Sequence, residues 1–283
     1  MLPLRLYPKL GETELRDGPY PERAALDSEV LLLHALERDR IWLMTHRSQG
    51  MPEEAGKRFS ESIKRRLAGE PIQYITGETE FYGLPFRVTQ DVLIPRPETE
   101  HLVETVIAFA AQFSKPRIVD IGTGSGAIAI SLAHKLQDSQ ITAIDISGEA
   151  LAVARQNSKL NSVDETIRFL RGDLLAPVTT ERFEIIASNP PYVPSADRDS
   201  LSVEVRDHEP ALALFAGEDG LAIYRRLIPA AYAQLVSRGF LALEIGYGQQ
   251  EAIRALLGES GFAEIEFLPD LQQIPRVASA RKP

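Results

Sequence analysis

The sequence predicts a doubly wound α/β domain preceded by a small helical domain and joined to it by a β-hairpin connector. Beyond Glu98, short apolar runs alternate with stretches of helical period, and strand-helix alternation implies a mainly parallel sheet covered on both faces. From Ala24 to about Ala68 the apolar pattern is helical, whereas residues 81–97, FYGLPFRVTQDVLIPRP, break into short β-type runs punctuated by Pro and Gly. The expected boundaries are 1–75 for the helical domain, 76–97 for the connector and 98–283 for the α/β domain.

In the helical domain, Leu26, Val30 and Leu33 make one stripe, and Ala55, Phe59, Ile63 and Leu67 recur every fourth residue on a second helix. Pro52 suits the first turn of that helix and Gly69 its end. The Lys64-Arg65-Arg66 run reads as a solvated helix face. Farther on, strands are expected at Arg117–Ile121, Ile141–Ile146, Ile167–Leu170, Phe183–Ala187, Phe240–Ile245 and Ala263–Leu268. Helices are expected at Ala127–Leu136, Gly148–Leu160, Leu221–Leu235 and Gln249–Leu257, with a last edge strand at 275–282.

A length of 283 residues allows one large domain or a main domain with a smaller companion. Hydrophobic content of 44% and charged content of 25% are those of a globular protein. The net charge of −9, from 31 basic and 40 acidic side chains, argues against a broad surface for nucleic-acid phosphates. Without cysteine there can be no disulfide, thiolate nucleophile or cysteine-ligated metal. His34, His46, His101, His134 and His208 lack metal-ligand spacing, so no metal is expected. The opening MLPLRLYPKLGETE lacks the apolar core of a signal peptide, and no run reaches membrane-spanning length; the expected location is cytoplasmic, away from membranes.

Chemistry gathers at the predicted strand ends. The first strand runs into Gly122-Thr123-Gly124-Ser125-Gly126, whose glycines let the backbone turn sharply and approach a ligand while the next helix points free N–H groups there. A tight strand-helix turn without a ligand is the alternative. Asp145 closes the next strand, 19 residues after Gly126, where a carboxylate can accept from both hydroxyls of a ribose or can cap the following helix, as Ser147 also could. The GxGxG spacing differs from the GxGxxG of dinucleotide binders, and a helix N-terminus suits the carboxylate of S-adenosylmethionine as readily as a pyrophosphate. At the third end, FLRGDLL, the Asp173 carboxylate and the Leu174 N–H could read an adenine ring, or could form a simple polar turn.

The fourth end, IIASNPPYVPSAD, is an awkward way merely to turn a corner. The side-chain oxygen of Asn189 and the carbonyl of Pro190, held stiff by Pro191, are two acceptors aimed at one point, and a planar NH2 group is their natural guest. The nitrogen of such a group is a poor nucleophile because its lone pair is delocalised. Gripping both N–H bonds returns electron density to it and favours the pyramidal form during attack. Tyr192 would stack on the flat guest; an Asn-Pro turn with a core tyrosine is the alternative.

DIGTGSG, AIDIS and SNPPY at this spacing resemble class I S-adenosylmethionine-dependent methyltransferases that act on planar NH2 groups. More narrowly, GEPIQYITGETEFYGLPFRVTQDVLIPRPETE, residues 69–100, resembles the connector of the HemK/PrmC family of peptide chain release factor glutamine methyltransferases. The resemblance implies a Rossmann-like doubly wound sheet and S-adenosylmethionine as cofactor. It also implies methyl transfer to the N5 amide of the glutamine in the GGQ motif of class 1 release factors; for so large a partner the small helical domain, which has no evident catalytic group of its own, is expected to serve in docking, and the acidic balance leads to the expectation of no direct contact with nucleic acid. By position, Gly122 to Gly126, Asp145, Leu174 and Asn189 would contact the cofactor, and Asn189 to Tyr192 would grip the glutamine, with Asn189 and Pro190 catalytic. Arg96, Pro97 and Glu98 are secondary candidates; their alternative is a Pro-started helix N-terminus with acidic first-turn residues. Leu174 departs from relatives that carry an aromatic residue there, so ring stacking would be lost while a backbone contact would survive. The ending LQQIPRVASARKP matches only loosely. Competing readings are a glutamine methyltransferase of a ribosomal protein, an exocyclic-amine methyltransferase of nucleic acid, and a non-catalytic cofactor-binding docking module.

Overall fold

In the computed structural model, which describes residues 2–270 and 272–283, the N-terminal periodicity resolves into α1 (Tyr7–Leu15), α2 (Ala24–Leu36), α3 (Arg40–Thr45), α4 (Glu53–Leu67) and α5 (Ile72–Thr76). Met1 and Leu271, which begin the segments MLPLRLYPKLGETE and LQQIPRVASARKP, lie outside the described residues. By its contacts the chain divides into two units. One joins Met1–Glu78 to Leu201–His208, and the other joins Thr79–Ser200 to Glu209–Pro283.

The helical unit corrects two expectations. On α2 the stripe Leu26, Val30, Leu33 is not the core face: Leu26 is 62% exposed, while Ala24, Asp27, Ser28, Leu31, Leu32 and Ala35 are buried. A carboxylate in that face interrupts its apolar period, and it can be there because Arg66 donates to it from Nε at 2.7 Å, both side chains being 2% exposed. The run Lys64-Arg65-Arg66 is therefore not one solvated face. Lys64 is exposed and Arg65 pairs with Glu70, but Arg66 is buried, with Nη1 donating to the Glu70 carbonyl at 3.0 Å and to the Glu204 carboxylate. Its guanidinium lies 4.5 Å from the ring centre of Tyr20, whose hydroxyl accepts from the Glu204 N–H at 2.9 Å. On α4, Ala55, Phe59 and Ile63 are buried, Pro52 sits at the N-cap, and Gly69 follows the C-cap with φ +88°.

The α/β unit takes in all but the first residue of the hairpin of β1 (Glu78–Phe81) and β2 (Leu84–Arg87), whose two-residue turn, Tyr82-Gly83, has φ of 53° and 73°. Both values are left-handed, as a type I′ hairpin turn requires. Next come α6 (Glu100–Ala110), β3 (Arg117–Ile121), α7 (Ala127–Lys135), β4 (Gln140–Asp145), α8 (Gly148–Leu160), β5 (Ile167–Arg171) and β6 (Phe183–Ser188). The short α9 (Val203–His208) belongs to the helical unit; α10 (Ala211–Leu214), α11 (Ala222–Gln234), β7 (Leu235–Glu244), α12 (Gln250–Glu259), β8 (Ala263–Pro269) and β9 (Pro275–Arg281) complete the fold.

The large sheet has the order β5-β4-β3-β6-β7-β9-β8, parallel from β5 to β7 and antiparallel beyond. Side-chain alternation sends Ile118 of β3 into the core beneath α6 and α7, and Val119 and Ile121 into the opposite core with Tyr224, Leu227 and Ile253. The last strand is not at the edge, where the sequence pattern puts it. It inserts between β7 and β8 because Val277, Ala278, Ser279 and Ala280 are all buried, small enough for the sheet interior, whereas β8 has only exposed and half-buried positions. Among the described residues no helix is long and apolar enough to cross a membrane.

Replacing Arg66 with Met would leave Asp27 buried without its main cation. We expect a loss of about 3 kcal/mol in the stability of the helical unit, read from urea midpoints. An unchanged midpoint would show that the pair contributes nothing.

Candidate active site

Parallel strands place their carboxyl ends on one side of the α/β unit, and there a cavity of about 470 Å³ opens among the loops that follow β3, β4, β5 and β6. Gly122 and Gly124 line it with φ of 71° and 55°, and the Gly122 and Thr123 N–H groups donate to the Ile144 carbonyl at 2.8 and 3.0 Å. A Cβ built on either glycine would meet no protein atom within 4 Å, so both open onto free space. Gly126 differs. It does not line the cavity, and a Cβ there would lie 2.8 Å from Ile130 Cδ1 and 3.2 Å from Ala154 Cβ, so it serves the close approach of α7 to α8.

Thr123 and Ser125 line the cavity, and Thr123 Oγ1 donates to Asp120 at 2.6 Å. Burial pushes Asp120 up to about 7, against the lowering effect of that hydrogen bond. Asp145 accepts from the Gly124 N–H at 2.8 Å and from the Ser147 N–H at 2.9 Å. Burial raises its pKa and these donors oppose the rise. The capping role belongs to Ser147, whose Oγ accepts from the Ala150 N–H at 3.0 Å, so Asp145 is left to brace the glycine loop and face the cavity. Asp173 lines the cavity and is paired with Arg226, which lines it too. Leu174 also lines it, in the left-handed region at φ 51°.

The corner after β6 is clamped from several sides. Ser188 Oγ donates to the Ile121 carbonyl at 2.7 Å. Val193 donates to the Leu214 carbonyl and accepts from the Ala216 N–H, both at 2.9 Å. The Tyr192 carbonyl accepts from Gln249 Nε2 at 3.0 Å. Asn189, Pro190 and Pro191 line the cavity, but Tyr192 does not: its ring packs half-buried on the core under α11, where burial pushes its hydroxyl up to about 12. Asn189 Nδ2 donates to Thr99 Oγ1 at 3.2 Å, and Thr99 Oγ1 donates to Glu244 Oε2 at 2.6 Å. Glu244 is 3% exposed, and burial pushes it up to about 7.

Of the secondary candidates, Arg96 lines the cavity and grips the Glu209 carboxylate with Nη2 at 2.7 and 2.6 Å. Pro97 opens a 3₁₀ turn, Pro97–Thr99, that leads into α6 with Glu98 in it, and neither lines the cavity. Thr99 and Glu244 are not singled out by the sequence pattern. The available signal is an acidic residue closing an apolar strand, FLALE, as Asp145 closes ITAID. Among the described residues no group of three or more His, Asp and Glu side chains is placed to hold a metal ion.

Residues 10–77 match the PrmC N-terminal domain and residues 98–205 match the methyltransferase small domain. A curated release factor glutamine methyltransferase from Koribacter versatilis is 40% identical over 275 residues, 97% of this chain and 96% of that protein. The solved ribosomal protein L11 methylase from Lactobacillus delbrueckii subsp. bulgaricus is 25% identical, with a TM-score of 0.51 over 70% of this chain and 86% of that one. A T. thermophilus 16S rRNA N2 G1207 methyltransferase, solved in complex with AdoMet and guanosine, shares the fold at 18% identity, with a TM-score of 0.54 over 73% of this chain and 50% of that one.

The raised pKa values at the site set a pH dependence. Asp120 keeps its proton up to about pH 7 when folded, against an ordinary value of 3.8. As pH rises between the two values the unfolded chain has released a proton that the folded chain retains, so this group's contribution to stability falls across that window. Asp120→Asn, whose amide oxygen can still accept from Thr123, should lose less stability between pH 5 and 8 than the parent, by on the order of 2 kcal/mol in denaturant titrations. Parallel curves for the two proteins would contradict the assignment.

Proposed function

This chain belongs to the release factor glutamine methyltransferase family, and we propose that its cavity transfers a methyl group from S-adenosylmethionine to the side-chain amide nitrogen of a release factor glutamine. The glutamine is that of the GGQ motif, and the substrates are the class 1 factors. One observation carries the reading: Asn189 and Pro190 line the same cavity as Gly122, Gly124 and Asp145. A cofactor cradle and a pair of acceptors for an NH2 group therefore share one space.

The residues present fit the cofactor, because Gly122 and Gly124 leave room where a Cβ would stand and Asp145 offers a buried carboxylate. S-adenosylmethionine supplies an electrophilic methyl carbon on a sulfonium. Thr123, Ser125 and the N-terminal N–H groups of α7 would favour its amino-acid end, Asp145 would accept from the ribose hydroxyls, and Asp173 with Leu174 would bound the adenine. Asn189 Oδ1 and the Pro190 carbonyl would accept from the two N–H bonds of the glutamine amide and orient its nitrogen for attack. As the amide lone pair leaves resonance during transfer, these two acceptors would strengthen their hold on an increasingly cationic nitrogen. The surplus proton then departs to water, so no base of shifted pKa has to act beforehand. Tyr192 supports the corner from its core side. Residues 1–75 dock the release factor, and the hairpin within 76–97 leads into the catalytic domain.

Incubating the protein and labelled cofactor separately with a release factor, ribosomes and DNA tests the reading. Mass spectrometry should find one added methyl on one glutamine of the release factor; label confined to ribosomes or DNA would overturn it. Asn189→Ala should lower kcat by about 100-fold, from the loss of one acceptor whose hydrogen bond to an increasingly cationic nitrogen contributes about 3 kcal/mol, with cofactor Kd within about threefold. Asp145→Ala should instead weaken cofactor binding by about tenfold or more in calorimetry. The assignments of these two residues fail if their effects are exchanged.

A further inference from the structure

We infer that Thr99 and Glu244 are positioning residues that decide which end of the Asn189 side-chain amide meets the substrate. The inference rests on the proposed role of Asn189 Oδ1 as an acceptor, and concerns how that oxygen comes to be the atom on offer.

A primary amide has a donor end and an acceptor end of nearly equal size, and half a turn exchanges them at little steric cost. The clamps on the corner hold its backbone, through Ser188, Tyr192 and Val193, and leave that half-turn undetermined. What determines it is a chain of buried polar groups. Ionised Glu244 can only accept, so the single hydroxyl proton of Thr99 goes to it, across 2.6 Å. The Thr99 oxygen is then an acceptor for Asn189, and the NH2 end of the amide turns toward it at 3.2 Å. Oδ1 is left for a guest that brings two N–H bonds. Protonated Glu244 reverses the chain: its O–H donates to Thr99, Thr99 donates to Asn189 Oδ1, and the amide presents its NH2 group to a substrate that also presents NH2.

Glu244 is an unusual residue to spend on packing. It ends the apolar run FLALE of β7, 3% exposed, beside Val277 of β9. Arg276, the cation that acts on it, is itself bound to Asp270 at 3.0 Å. The other ionisable groups around it are Glu98 on the Thr99 turn, Tyr192 after β6, and Tyr224 of α11, whose hydroxyl donates to the Glu244 backbone carbonyl at 2.7 Å. Burial, with Glu98 adding to it, pushes Glu244 up to about 7 while Thr99, Arg276 and Asn189 lower it, so the chain would reverse within the physiological range.

The test compares Thr99→Val, Thr99→Ser and Glu244→Gln in the full chain, with a release factor as substrate and cofactor Kd measured alongside. Thr99→Val should lower kcat at least tenfold with cofactor Kd within about twofold, and Thr99→Ser, which restores the hydroxyl, should recover at least a third of the parent kcat. In the parent, kcat at saturating cofactor should fall on the acid side of about pH 7; in Glu244→Gln that limb should vanish. The inference is overturned if Thr99→Val turns over like the parent, if the serine is as impaired as the valine, or if Glu244→Gln keeps the acid limb. If Thr99→Val does not fold, the glutamine profile decides. Full activity in Asn189→Ala would sink the acceptor reading itself, whereas an inactive Asn189→Ala beside a fully active Thr99→Val would sink the positioning role alone.

Discussion

The constraint on which the rest depends is the stiffness of the turn that follows β6. In the proposed transfer a planar amide is gripped by two acceptors that must stay aimed at one point, and flexible oxygens would be averaged over many directions. Two consecutive prolines, Pro190 and Pro191, fix φ on either side of the crucial carbonyl, and hydrogen bonds from Gln249 and to the Leu214 carbonyl hold the exit of the turn. Even Gly220 participates by absence of a side chain, since a Cβ there would stand 2.2 Å from the Tyr192 carbonyl oxygen. The turn is rigid because three later segments of the chain, around Leu214, Gly220 and Gln249, are packed against it.

The parallel sheet makes this turn useful. Strands that run the same way deliver their loops to one side, so an acid, a glycine loop and an acceptor pair come together although they lie far apart in sequence. Asp145 links two of these parts directly by taking the Gly124 N–H, which makes the shape of the glycine loop depend on the carboxylate that also faces the ligand space. Burial of Asp120, Asp145 and Glu244 at these strand ends makes their charges costly and leaves them responsive to protons and hydrogen-bond donors.

Much of this arrangement is legible in the amino-acid sequence. Period and punctuation locate β3 and α8 to the residue, and the ends of β3, β4, β5 and β6 are recognisable from the chemistry placed there. What escapes has a common cause: polar residues buried with distant partners. Asp27 hides the true core face of α2 because Arg66, which neutralises it, is 39 residues away, and a local pattern cannot register such a pair. Glu244 and Thr99 are 145 positions apart and read separately as a strand end and a loop residue. The insertion of β9 between β7 and β8 is likewise a matter of pairing, to which the uniformly small side chains of VASA are the only local clue. Gly126 and Tyr192 match a ligand motif, yet their structural surroundings are helix packing and core.

The helical unit is completed by Leu201–His208, which reaches it only after the chain has already built four strands of the large sheet. Glu204 in that segment answers the innermost guanidinium of the helices, and its backbone answers Tyr20. The N-terminal region is consequently not a detachable cassette. A recombination or truncation joint near residue 78 would separate it from part of its own interior, so the two halves of such a gene are expected to be inherited, and engineered, as a single piece.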